Sequence, residues 1–368
     1  MVVRCVAQQV REGMNSVRLS ASLSDSIKKL ATGYFAAVMA TGIVSIALLL
    51  EKMTALSNAF FAVAVVLYVV LFAGYVLRAF MYPKQVWADL THAGKVFGYF
   101  TFIAGTDVLG TRFAFAHQYE IAIVLGALGL VSWIILTYFI LIVLLFYNEQ
   151  PIQNVINGGW LVATVSCESL AALGSALADF LPANSWLLFV SYAFWALGVV
   201  IYLIFIAMIM YRFFFFRIST KDLSPPYWIN MGAMAITTLA GSRLVLYPHS
   251  TEFLVFIEPF VQGMTVMLWV WGTWWIPWLI MIGIGKYVLF KEKFRYDPAL
   301  WSMVFPLGMY TVACKTMGTI HGLGIILHLV PTELYIALTG WTVVSASFFY
   351  GMLKKRYSKK VDITNVAG

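Results

Sequence analysis

Five ionisable side chains stand inside long apolar stretches of this sequence: Asp107, Arg112, Glu168, Arg243 and Lys315. A charge at the centre of a membrane-length apolar run costs about 2.5–3.5 kcal/mol on insertion scales, which makes each one a functional candidate by default. Asp107 and Glu168 fall 12 and 11 residues after the start of their apolar segments. The three bases fall about 16–17 residues after the start of theirs. At about 1.5 Å per residue, this predicts an acidic level roughly 17 Å from one face and a basic level roughly 25 Å from it. The basic level is then near the far edge of a ~30 Å hydrocarbon core. Basic groups around a mouth concentrate anions and repel cations. The alternative for Arg112, Arg243 and Lys315 is that they snorkel to the interface and bind nothing. The acids fit an anion path less simply, because a carboxylate repels the cargo. They can pair with bases one turn outward, carry a proton as neutral acids, or hydrogen-bond to a neighbouring helix. Asp107 and Arg112 are five apart on one helix, a spacing that does not align them.

A second cluster concerns shape. The stretch ALWSMVFPLGMYTVACKTMG, residues 299–318, holds Phe305 next to Pro306 in mid-segment. Proline removes a backbone hydrogen bond and predicts a kink. Small and hydroxyl residues are the candidates to line a path: Thr41, Gly42, Thr106, Thr164, Ser166, Thr237, Thr238 and Thr311, with Gly105 beside them. For each of these, close helix packing is the competing use. The remaining signals are weaker. Cys5, Cys167 and Cys314 are far apart and give no disulfide framework or metal spacing. The tryptophans between Val266 and Trp278 form a helical stripe suited to lipid or subunit packing, and His321 and His328 read as loop residues. No metal or cofactor is expected, and no protease, nucleotide-binding or kinase motif is present. An acid dyad of Asp107 and Glu168 is the sole catalytic arrangement their shared depth allows. The expectation is therefore a protein without enzymatic activity and without nucleic-acid partners.

The elements that position these groups follow from composition. The chain has 368 residues, 62% hydrophobic and 11% charged, far from the usual balance of a soluble domain. The expected fold is an all-α polytopic membrane protein. Ten apolar spans are predicted at 33–50, 56–81, 95–113, 120–146, 157–178, 186–211, 226–246, 257–284, 299–319 and 332–352. With ten crossings, 20 of the 24 Lys and Arg residues fall on one side, and only Lys52, Arg112, Arg243 and Lys315 fall elsewhere. That asymmetry predicts both termini in the cytoplasm. It divides the chain into a basic tail, 1–32, a ten-helix unit, 33–353, and a second basic tail, 354–368. The first tail has no apolar core ahead of a cleavage site, so it does not read as a signal peptide.

Odd spans are short and rich in Gly, Ala, Ser and Thr, whereas even spans are long and nearly uncharged. The odd spans recur about every 65 residues, which predicts five copies of one helical hairpin. Oily even helices suit lipid; the odd ones suit helix contacts or a wet cavity. Five parallel odd helices ringed by five even ones would enclose a central path. A solid bundle is the alternative.

Three stretches then carry a resemblance: GYFAAVMATGIVSIA (33–47), PPYWINMGAMAITTLAG (225–241) and YDPALWSMVFPLGMYTVA (296–313). Together they resemble the tellurite-resistance/dicarboxylate transporter family, which includes bacterial tellurite-resistance proteins, yeast malate permease and sulfite efflux pump, and plant slow-type anion channels. The resemblance covers about residues 30 to 353. It implies five helical hairpins around a pore, a homotrimer, and a phenylalanine in the ninth helix that blocks the pore. The family's W-S-x-x-F-P run corresponds to Trp301, Ser302, Met303, Val304, Phe305 and Pro306, so Phe305 is the implied gate. The family's other helix kinks are not marked by proline here. The intramembrane charges look closer to the malate branch than to the plainer channels.

The expected function is transport of small anions across the cell membrane: a C4-dicarboxylate such as malate, sulfite, tellurite or chloride. Lys315, Arg243 and Arg112 would attract the anion, Phe305 and Pro306 would gate it, and Asp107 and Glu168 would tune charge or couple protons. A proton-coupled dicarboxylate carrier with alternating access is the competing expectation.

Overall fold

The computed structural model describes residues 24–178, 180–181, 185–220, 222–247 and 252–366; most of the basic N-terminal tail lies outside them. Among the described residues there is no strand, and ten helices have fifteen residues or more. They are α1 (Ala36–Leu50), α2 (Thr54–Met81), α3 (Phe100–Phe115), α4 (Tyr119–Phe146), α5 (Val162–Ala178), α6 (Ser185–Phe215), α7 (Ile229–Leu246), α8 (Glu252–Ile284), α9 (Trp301–Met317) and α10 (Val330–Val366). Seven helical stretches, each counted with any contiguous helical turn, are long and apolar enough to cross a membrane; α1 is a shorter apolar helix. α3 and α9 are the other short ones, and both carry charges. The chain is an integral, multi-pass membrane protein.

Each odd helix packs on the even helix that follows it, giving five hairpins. The odd helices also contact one another in a closed order, α1 to α3, α3 to α5, α5 to α7, α7 to α9 and α9 back to α1. They therefore form an inner ring. The even helices lie outside it, with rows of exposed Val, Leu, Ile and Phe along α2, α4, α6 and α8. The reason is composition: small residues let the inner backbones approach, while outer helices present apolar side chains to lipid. The most apolar stretch of Gly158–Ala178 is entirely buried, against 11% of that in Thr54–Met81.

The hairpin repeat is visible in how the inner helices begin. α3, α5, α7 and α9 are each entered through a short 3₁₀ turn, at Val96–Tyr99, Gly158–Leu161, Pro225–Trp228 and Pro298–Leu300. Two of these turns are capped: the Asn157 and Asp297 side chains each accept from a backbone N–H at 2.8 Å, those of Gly159 and Ala299. α9 continues as one helix through Pro306. Proline has no N–H to return to the Ser302 carbonyl. Gly232 of α7 makes room for the ring, since a Cβ there would meet Pro306 Cγ at 2.7 Å.

Candidate functional site

Two cavities lie on the axis of the inner ring, and segments of all five inner helices or their entry turns line each one. The first, about 210 Å³, is at the amino ends of these helices. Gly33, Thr101, Val162, Ile229 and Ser302 line it, with Lys95 and Asp297 at its rim. The second, about 240 Å³, is at their carboxyl ends. Ile43, Val108, Ser169, Ile236 and Met309 line its inner part, and Arg243 and Lys315 also face it.

Between the cavities the ring is closed by side chains. On α9, Ser302 lines the first cavity, and Met309, Val312 and Thr316 line the second. Phe305 follows Ser302 by three and precedes Met309 by four, so it continues the same helical stripe. It is 1% exposed. The same spacing puts Ala104 between Thr101 and Val108, Val165 between Val162 and Ser169, and Gly232 between Ile229 and Ile236. All three are buried. The waist is thus apolar, with one large side chain among small ones. Just below it, the Ser302 hydroxyl makes no hydrogen bond among the described residues, and the residue is 7% exposed.

The charged candidates separate in space. Lys315 Nζ lies 2.7 Å from Glu51 Oε1, a residue at the end of α1. Arg243 reaches from α7 to α5, donating from Nε to Ser175 Oγ at 3.2 Å, and its guanidinium lies 5.9 Å from the Phe115 ring centre. Arg112 does not line the cavity. It is buried, and it donates to Ser45 Oγ at 3.0 Å, Ser57 Oγ at 3.2 Å and Asn58 Oδ1 at 2.9 Å, over the Phe61 ring. Ser45 and Ser57 also bond each other's carbonyls at 2.8 and 2.7 Å. Arg112 thereby fastens α3 to the α1–α2 turn.

The two acids are fully buried and contact the outer helices. Asp107 presses on Gly129 of α4, where a Cβ would collide with its Oδ1. Its Oδ2 accepts from Ser169 Oγ at 2.6 Å, and Oδ1 has no hydrogen bond among the described residues. Glu168 presses on Gly198 of α6 in the same way, beside the Thr237 hydroxyl, and neither of its oxygens has a well-formed hydrogen bond among the described residues. The pattern repeats from one hairpin to the next: an acid on the inner helix, a glycine opposite it on the outer one.

The small residues chosen from the sequence also turn elsewhere. Thr41 accepts from Trp341 Nε1 at 3.1 Å and so faces α10; Thr106 meets the Tyr68 hydroxyl at 3.1 Å and faces α2. Gly42 packs against Val108, where a Cβ would lie 3.0 Å from Cγ1. Ser166, Thr237, Thr238 and Thr311 return their hydroxyls to carbonyls three or four residues back, and the buried Thr164 hydroxyl has no hydrogen bond among the described residues. None of the eight lines either axial cavity. The uncharged polar lining comes instead from Thr32, Thr101, Asn157 and Ser302 in the first cavity and from Thr111, Ser169, Thr316 and Thr319 in the second.

A sequence profile now decides the family: that of the voltage-dependent anion channels matches residues 29–349. The chain belongs to this family. It is the tellurite-resistance/dicarboxylate transporter family that the W-S-x-x-F-P run and its two companion stretches resemble. Among curated proteins, an uncharacterized transporter of Methanocaldococcus jannaschii is 27% identical over 313 residues, 82% of this chain and 88% of its own length. A second uncharacterized transporter of that organism matches equally well, with 87% of its length covered. An uncharacterized membrane protein of Mycobacterium tuberculosis is 35% identical over 144 residues, 39% of this chain and 73% of its own. Family membership makes the chain an anion transporter in general terms. The lipid bilayer is its surroundings and a small anion its cargo.

Proposed function

We propose that the protein conducts small anions along the axis of the inner ring and that Phe305 is its gate. One observation carries this reading: two cavities, each lined from all five hairpins, with Phe305 on the stripe between them. A wall of small apolar side chains with one aromatic plug is the arrangement that gates by dewetting. Pro306 supports it, because the missing N–H lets α9 yield beside the ring. Arg243 and Lys315 draw the anion to the carboxyl-end cavity; the mainly apolar wall then holds it weakly enough for release. The cargo class is a C4-dicarboxylate such as malate, sulfite, tellurite or chloride. In this reading all ten helices cross the bilayer of the cell membrane, both termini are cytoplasmic, and three copies assemble. No covalent chemistry is assigned. The test is anion current for Phe305→Ala against wild type.

One contact favours a second reading, a proton-coupled carrier with alternating access. Ser169 lines the carboxyl-end cavity and touches Asp107, which gives a buried acid a polar link to the cargo path. Flux that saturates and follows pH supports the carrier; large ohmic currents exclude it.

A further inference from the structure

A third cavity, about 400 Å³, lies off the axis between the outer helices α2 and α4. Its walls are lipid-facing: Phe72, Val76 and Ile135 are 43%, 39% and 66% exposed. At the amino-end level of the inner ring it is bounded by Val86 and Leu90 of the short helix Pro83–Leu90. That helix exposes Trp87 and carries Lys84, the composition of a segment lying in the membrane interface.

Four polar side chains line this otherwise oily groove: Arg78, Tyr99, Ser132 and Tyr75, whose hydroxyl is engaged by the Ala31 and Thr32 carbonyls; Arg78 and Tyr99 have unused hydrogen-bonding capacity. Arg78 is 4% exposed. It donates from Nη2 to Asp89 Oδ2 at 2.6 Å and from Nε to the Lys28 carbonyl at 3.2 Å. Its Nη1 makes no well-formed hydrogen bond among the described residues, and neither does the buried Tyr99 hydroxyl, which stands against the Arg78 side chain. Buried donors left without acceptors are exceptions in folded proteins and point to an unseen partner. Asp89 does not neutralise the neighbourhood, since it is shared with Lys95 at 3.0 Å, and the Lys28 ammonium lies 6.0 Å from the centre of the Tyr82 ring that precedes the short helix.

We propose that this groove is a phospholipid site. An acyl chain fills the space between α2 and α4, and the headgroup phosphate accepts from Arg78 Nη1 and the Tyr99 hydroxyl. Phosphate suits a guanidinium with a free N–H. The surplus of Lys and Arg selects an anionic headgroup over a zwitterionic one, as basic pockets on the cytoplasmic side of membrane proteins do. The site is separate from the axial path and does not rest on Phe305 being a gate.

The experiment is native mass spectrometry of the full-length, delipidated protein. It is titrated with phosphatidylglycerol, with phosphatidylcholine of the same chains, and with inorganic phosphate. Wild type is expected to retain one phosphatidylglycerol per chain in preference to phosphatidylcholine, and to hold no inorganic phosphate. Tyr99→Phe removes only that hydroxyl and should weaken that binding by about 12- to 160-fold, the worth of one hydrogen bond to a charged group. Ala79→Trp fills the groove from its exposed wall, leaves the Arg78–Asp89 pair intact, and should abolish it. Equal retention of the two lipids, or unchanged binding in Ala79→Trp, overturns the proposal. So does a changed oligomeric state in Ala79→Trp with lipid binding intact, which would assign the groove to a second copy of the chain.

Discussion

Lys315 Nζ and Glu51 Oε1 are 2.7 Å apart at the carboxyl-end mouth of the inner ring, so the cation best placed to meet an incoming anion already holds a carboxylate. Glu51 sits in the tight turn between α1 and α2, followed by Lys52 in a left-handed conformation at φ 61°. In the proposed pathway it is a tethered competitor for the anion. Glu51→Gln should free Lys315 and lower the anion concentration that gives half-maximal current. The pair is partly exposed, where such contacts are worth roughly 0.2–1 kcal/mol, so the expected change is about 1.5- to 5-fold. The Lys315→Gln background should erase it. Concentration–current curves for the three variants check this.

Lys315→Glu places two acids where an ion pair stood. The mouth then repels anions, and the preference for anion over cation should fall, read as a shift of reversal potential in a salt gradient. An unaltered reversal potential would clear Lys315 of any part in selection.

Arg112 should behave differently from the other two bases. Its guanidinium is buried against Ser45, Ser57 and Asn58, so Arg112→Ala opens a cavity and removes the donor to Asn58 Oδ1, while the two serines keep their bonds to each other's carbonyls. The expected loss is about 2–5 kcal/mol of stability, seen as a lower melting temperature in detergent. Anion preference in the protein that survives should be unchanged.

The acid–glycine contacts predict non-additivity. Gly198→Ala pushes a methyl into the Glu168 carboxyl and should destabilise by about 1–3 kcal/mol. In a Glu168→Ala background the same change should cost much less, because the colliding atoms are gone. Thermal unfolding of the four proteins in this cycle measures the coupling.

How much of this was legible in the sequence differs from element to element. The hairpins and the inner–outer division were readable, because lipid contact demands oily surfaces and ring contact demands small ones. Every one of the ten predicted spans coincides with a helix, although α8 begins at Glu252 rather than near 257 and α10 runs on to Val366. The stripe with Phe305 was readable only through the family's W-S-x-x-F-P run. Rotational phase was not readable: inner helices are buried on all sides, so no polar face marks which way Arg112 or Arg243 turns. Both sit at the same depth, yet one lines the cavity and one braces a turn. The axial hydroxyls were missed for the same reason, since Thr106 and Thr111 look alike in sequence. Glu51 was overlooked because it lies in a turn rather than a span. A signal for the acid contacts did exist, in Gly198, the lone glycine of α6, and in Gly129, one of two glycines in α4.

The most direct measurement of the axial pathway is single-protein anion current in planar bilayers for a size series at one position: Phe305, Phe305→Leu and Phe305→Ala. A plug between two cavities predicts current that rises as the side chain shrinks, largest for alanine, with the protein's melting temperature and oligomeric state little changed. Near-zero current in a well-folded Phe305→Ala protein, equal to that of wild type, would contradict the gate and the path it closes.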